Sequence, residues 1–209
     1  MPEMVRCLVY TLGGYLSGNI MYAYWLPRRL RGVDVRDYGS DHNPGAANAT
    51  LACGLPMGVA CALLDILKGT IPVALALHVG KLPLWYMVPV VVAPVAGHAW
   101  PVLFDGKGGK AIATGFGVLI GLLPGIWLAP LWAAIILVCL PFIHDHRVLM
   151  VVTSALLMAG SLLVYPMPPV RLMACGVAGI IMVRHCPPKV HLPEAEPMRA
   201  AARSGKDEM

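Results

Sequence analysis

Apolar residues run through this chain in long blocks, and polar residues gather in a few short stretches between them. The blocks cover roughly residues 7–26, 54–78, 84–104, 110–122, 125–142, 147–163 and 168–184. A helix needs roughly 20 apolar residues to cross a bilayer. The pattern therefore predicts an all-α, polytopic membrane protein with about seven transmembrane helices. The fourth block is short for a straight crossing and calls for tilt or for completion by its neighbours. Alternatively, 110–142, interrupted at "LLPGIW", forms one re-entrant unit. Gly14 and Gly18, and then Gly117, Gly121 and Gly125, recur every fourth residue. Such spacing lets membrane helices approach closely. There is no convincing internal repeat, which argues against a repeat-built transporter.

Composition supports the membrane reading. Only 13% of the 209 residues are charged, and the mean hydropathy is +0.71; soluble domains carry about 25% charged residues. The net charge of +5 raises the question of nucleic acid. The basic residues stand at the ends of apolar blocks, however, so they report membrane orientation and no nucleic-acid partner is expected. With the connections numbered alternately, one side receives Arg28, Arg29, Arg31, Arg36, Lys107, Lys110, Arg147 and Arg184, with Lys189, Arg199, Arg203 and Lys206 of the tail. The other side receives Arg6, Lys81 and Arg171. This bias places the N-terminus outside, and the C-terminus and every charged, glycine-rich segment in the cytoplasm. Residues 1–187 read as one membrane domain and 188–209 as a short polar tail. "MPEMVR" has a weak basic region and "LSGNIMYAYWL" lacks a cleavage site, so the first block is read as a span and not a removed signal. The six cysteines form no CxxC pair and read as buried, inert thiols.

Three polar segments fall on or near the cytoplasmic side. "RDYGSDHNPGAANAT", 36–50, is a turn-forming loop whose side chains and free N–H groups suit oxygen atoms. A helix is expected to start near Ala49 or Thr50, and helix N-termini attract anions. The second segment, "LLDILKG", places Asp65 and Lys68 three apart, on one helical face within an apolar block. A lone charge at that depth costs about 2.5–3.5 kcal/mol on insertion scales, so the two read as a pair with a site role. The third, "DGKGGK" at 105–110, precedes a helix. Glycines permit close approach of backbone to an anion and positive φ. Successive N–H groups then form an anion nest beside two lysines. This is not a Walker A loop, because Phe104 and Ala111 stand where Gly and Ser or Thr belong. No Ser–His–Asp or Cys–His arrangement, GxSxG or HExxH is legible. "HDH" at 144–146 is a weak metal candidate, since one loop rarely supplies a full ligand shell. No metal or cofactor is expected.

In this order the segments resemble the membrane glycerol-3-phosphate acyltransferases that use acyl-phosphate as donor. The family carries a Gly-Ser loop after the first span, "LDxxKG" in the second, and "GHxxPxxxxxxGGKxxAT" around the third and fourth. Here these read Gly39-Ser40 with "NPGAAN", "LDILKG" and "GHAWPVLFDGKGGKAIAT". The resemblance covers most of the chain. It implies a seven-helix fold in the bacterial cell membrane, with a cytoplasmic site that moves a fatty acyl group from acyl-phosphate to glycerol 3-phosphate to give lysophosphatidate. It implies catalytic roles for Ser40, His98, Lys107 and Lys110. It implies phosphate or substrate contacts from Asn43, Gly45, Asn48, Asp65, Lys68, Gly108, Gly109 and His185, with the bilayer as partner and a monomer as the expected state. Some positions depart from the pattern. The first loop is one residue longer, Ala47 replaces Thr, Ala52 stands where the family has Arg, and Pro188 where it has Asn. The alternative is therefore a divergent paralogue that takes another phosphorylated acceptor or is non-catalytic. An anion transporter predicts polar residues in both membrane halves, and the outer-side loops are almost featureless.

Overall fold

The computed structural model describes residues 1–186. Among the described residues the chain forms nine α-helices. These are α1 Glu3–Asn19, α2 Tyr22–Arg31, α3 Ala46–Cys53, α4 Leu55–Ala74, α5 Leu84–Ala99, α6 Ile112–Ile120, α7 Leu128–Cys139, α8 His146–Val164 and α9 Pro168–His185. A wider turn at Leu75–Val79 extends α4. Three helical stretches, Leu55–Val79, Leu84–Phe104 and His146–Val164, are long and apolar enough to cross a membrane. The expected tail at 188–209, with Pro188 and His191, lies outside the described residues.

Local chemistry sets the boundaries. Pro56 and Pro168 stand in first turns, where a missing N–H costs nothing. Gly32 ends α2 in the left-handed conformation (φ 67°). Asp145 caps α8, its Oδ1 accepting from Arg147 N and Val148 N at 2.7 and 3.0 Å. This cap gives the "HDH" stretch a structural job.

Several expectations need correcting. The block 7–26 is two helices and not one continuous helix, because the chain breaks at Ile20–Met21. The break leaves the Ile20 carbonyl for Lys68 and lets Asn19 Oδ1 accept from Val102 N at 2.6 Å. Helix α3 starts at Ala46, one turn earlier than expected, because Gly45 in extended backbone acts as its cap. The block 110–122 yields nine helical residues and 125–142 yields twelve.

Helix α5 forms the centre, with Met87, Val90, Val91, Val95 and Ala99 fully buried. It packs on α1 and α9, while α4 packs on α6 and α8 on α9. The close crossings use glycine. A Cβ on Gly18 would run into the carbonyl oxygen of Pro94, one on Gly97 into that of Tyr15, and one on Gly117 into that of Ile66. Gly125 meets nothing within 4 Å, so the third glycine of its series is not a contact. On α4 the apolar residues Val59, Leu63, Leu67 and Ile71 face outward, while Asp65 and Lys68 are buried. That is the reverse of a soluble amphipathic helix and suits lipid outside with polar groups facing the bundle interior.

Candidate active site

Lys68 is the inner anchor. Its ammonium lies 2.7 Å from Asp65 Oδ1, 2.6 Å from the Ile20 carbonyl oxygen and 2.8 Å from His98 Nδ1. An ammonium has three donors and no acceptor. Two hydrogen bonds and the ion pair with Asp65 thus hold it, tying α1, α4 and α5 together. Nδ1 of His98 must accept, which leaves the proton of the neutral ring on Nε2.

The "DGKGGK" loop is built around that ring. A Cβ on Gly109 would strike His98 Nε2, and one on Gly108 would strike the His98 carbonyl oxygen. Neither glycine has positive φ; Asp105, Gly106 and Ala111 do, at 52°, 72° and 62°. The glycine pair is thus required by close approach and not by a left-handed turn. The expected run of free amides is also mostly closed. Gly106 N donates to Pro101 O, Lys107 N to Phe104 O, and Gly109 N to His98 O. From the far side Arg184 fastens the loop, its Nε donating to Gly109 O at 3.0 Å and Nη2 to Gly108 O at 2.6 Å. The free donors lie one step on, at the start of α6.

The loop after α2 closes the other side. Asn48 is buried and donates through Nδ2 to Asp41 Oδ1 at 3.1 Å and to Asn43 O at 2.8 Å. Gly39 takes φ 73° directly against the Asn48 side chain, where a Cβ would strike Asn48 Oδ1. Asp41 Oδ2 pairs with Lys110 Nζ at 2.6 Å. Burial raises the Asp41 carboxyl, but hydrogen bonds from Lys110 and Asn48 outweigh it and hold the group below the ordinary carboxylate value.

Two adjoining cavities result. The first, about 520 Å³, is lined by Ser40, Asp41, Asn43, Gly45–Asn48, Asp65, His98, Lys110–Ala113 and Asp145–Arg147. The first turns of α3, α6 and α8 all face it, and helix N-termini carry partial positive charge. The second, about 490 Å³, is strongly cationic, with Arg36, Lys107, Lys110, Arg147 and Arg184 against Asp41 alone, and with Gly108, Asn43, Trp100 and His185 among its other lining residues. His185 donates from Nδ1 to Ile181 O at 2.7 Å, and its Nε2 has no partner among the described residues. Asp41, Asn43, Lys110 and Arg147 belong to both walls.

Ser40, Asn43, Gly45, Asn48, Asp65, His98 and Lys110 thus meet at the first cavity, and Lys107, Gly108 and His185 at the second. Lys68 and Gly109 line neither; they set the ring and the loop. Ala52 packs beside the small Ala23–Val35–Ala49–Cys61 cluster and lines neither cavity. Sequence reasoning missed Arg147, which entered only as an orientation charge, and Asp41, whose partner lies 69 positions away in "DGKGGK". Arg184 was visible beside His185, but its grip on the glycine carbonyls was not. Among the described residues no three of His, Cys, Asp and Glu gather as metal ligands.

A sequence profile described as glycerol-3-phosphate acyltransferase matches residues 8–192. Glycerol-3-phosphate acyltransferase 5 of Dehalococcoides mccartyi is 39% identical over 61% of this chain, an alignment spanning about half (54%) of that protein. The glycerol-3-phosphate acyltransferase of Anaeromyxobacter dehalogenans is 37% identical over 88% of this chain and 92% of its own. The crystal structure of PlsY (YgiH), an integral membrane glycerol 3-phosphate acyltransferase in its glycerol 3-phosphate form, superposes with a TM-score of 0.75. It is 30% identical and covers 86% of this chain and 88% of that one.

Proposed function

Because the chain belongs to the glycerol-3-phosphate acyltransferase family, we propose that it transfers a fatty acyl group from acyl-phosphate to glycerol 3-phosphate, releasing lysophosphatidate and inorganic phosphate. The observation that carries this reading is the pair of cavities sharing the Lys110–Asp41 wall, one strongly cationic and one facing three helix N-termini. Both substrates carry a phosphate, so a site for this reaction must accommodate two. The charge removed with Arg at position 52 has counterparts in Arg147 and Arg184, which supports retained phosphate binding in this chain.

In the reaction a glycerol hydroxyl oxygen attacks the acyl carbonyl carbon. A carbon–oxygen ester bond forms, and the bond from that carbon to the phosphate oxygen breaks. The phosphate leaves with the electron pair and ends with the hydroxyl proton. The donor is already activated, so no covalent enzyme intermediate is needed; positioning and charge stabilisation suffice. Lys107, Arg147 and Arg184 hold phosphate in the cationic cavity. Lys110, at the shared wall, also holds phosphate and faces the developing negative charge together with His98 Nε2–H and the free amides opening α6. Ser40, Asn43, Gly45 and Asn48 meet glycerol or phosphate oxygens, Asp65 and Lys68 fix His98, and His185 closes the cationic cavity.

The chain is an integral membrane protein by the company it keeps and by its apolar helices. We read it further as a seven-span, monomeric protein of the bacterial inner membrane, with the N-terminus outside and both cavities on the cytoplasmic face, where basic residues concentrate. The decisive assay incubates purified protein with acyl-phosphate and labelled glycerol 3-phosphate. Lysophosphatidate should form, and Lys110→Ala should reduce the rate roughly 100-fold or more. No product above that variant, with an active family member run in parallel, would leave the divergent, differently specific paralogue.

A further inference from the structure

The Asp41–Lys110 pair sits where a phosphate-handling cation would be expected to be free. Four observations bear on how firmly it is held. The carboxylate stands on the wall common to both cavities, so a ligand in either one meets it. Both side chains are about a third exposed, at 32% and 31%, and pairs in contact with solvent are weakly held. Asp41 Oδ1 is secured from behind by Asn48 Nδ2 and by Asn43 N–H, at 3.1 and 3.3 Å, so only Oδ2 is committed to Lys110. Letting go of Lys110 therefore leaves the loop tied. Finally, Lys110 has no other protein partner among the described residues, while Lys68 is held by Asp65, the Ile20 carbonyl and His98. The two lysines differ in that one is fixed and the other is exchangeable.

We propose that Asp41 is a specificity-determining residue that competes with substrate phosphate for Lys110, and so limits how tightly the site takes up phosphate. The proposal rests on Lys110 handling phosphate. A phosphate dianion offers Lys110 more charge than a carboxylate, and Arg147 lines the same two cavities, so exchange is favourable for phosphate and poor for a monoanion. The same carboxylate repels anions that cannot displace it. Selectivity thus comes from an acidic competitor within a basic site. The carboxylate lies in the loop that is one residue longer than the family pattern.

The test is direct binding of inorganic phosphate to the full chain in detergent, by calorimetry, for wild type, Asp41→Asn, Lys110→Gln and the double variant. Asn keeps an oxygen for Asn48 and Asn43 and loses the charge. Asp41→Asn should bind phosphate roughly fivefold or more tightly than wild type. In the Lys110→Gln background the same change should gain less than twofold, because the competition acts through Lys110. Equal or weaker phosphate binding by Asp41→Asn, or an undiminished gain without Lys110, overturns the proposal. Asp41→Ser provides a second variant should Asn disturb the loop. If neither folds, Asp41 is scaffold and the proposal is wrong. Binding needs no turnover, so a changed phosphate affinity without lysophosphatidate would sink the acyltransferase reading and keep this one, and the reverse result would do the opposite.

Discussion

Single residues in this site are held by charge in ways that pH and substitution can separate. Asp41 is held below the ordinary carboxylate value, chiefly by Lys110 and Asn48 acting against burial. A depressed carboxyl contributes stability that is fully present above its unfolded value of about 3.9 and is lost as pH falls through the folded value. Stability should therefore show no Asp41 contribution to its slope between pH 5 and 8. A decrease absent from Asp41→Asn should begin only below about pH 5, read by thermal unfolding across buffers. Arg184 makes a different prediction. Its two donors grip successive glycine carbonyls, a fork that Lys cannot copy. Arg184→Lys should cost about 1–3 kcal/mol of stability and lower kcat/KM at least tenfold. An unchanged kcat/KM would show that the loop needs no clamp.

At the scale of elements, glycine decides which helices and loops can meet. Gly109→Ala puts a methyl against His98 Nε2 and Gly18→Ala puts one against the Pro94 carbonyl. Each should lose about 1–3 kcal/mol by overpacking. Gly13, on the same helix as Gly18, meets nothing within 4 Å, so Gly13→Ala should be neutral or gain up to about 1 kcal/mol. Thermal melts of the three variants in one detergent separate packing from helix propensity. Much of this level was legible in the sequence. The Asp65–Lys68 spacing, the glycine series on α1, and the helix after Lys110 all stand where local pattern put them. The break at Ile20–Met21 was not legible. Gly18 and Asn19 stand just before it but read equally as a close helix contact, and the partner of the freed Ile20 carbonyl, Lys68, lies nearly fifty positions away. The close approach of Gly109 to His98 was hidden likewise, since a glycine pair looks the same whether it serves φ or contact.

At the scale of the whole molecule, the apolar blocks gave the helices and their order, while the meeting of the loops was legible only through the motif resemblance. Three loops from distant parts of the chain close on two cavities, and composition carries no record of which loops touch. The orientation proposed for these loops has its own check. With native cysteines replaced, a single cysteine at Asp105 should react with a membrane-impermeant maleimide only from the cytoplasmic side, and one at Lys81 only from outside; both positions are exposed. Labelling of both from one side would reject the topology. The knot at Lys68 bears on how such a chain can change over generations. Loss of Lys68 alone strands the Asp65 carboxylate, the Ile20 carbonyl and His98 Nδ1 at one stroke. Loss of Asp65 alone strands an ammonium. Either single step leads through a poorly folded intermediate, so a descendant can abandon the pair only by exchanging both residues together and finding Ile20 another partner. The helix break and the buried pair are thus bound to change together.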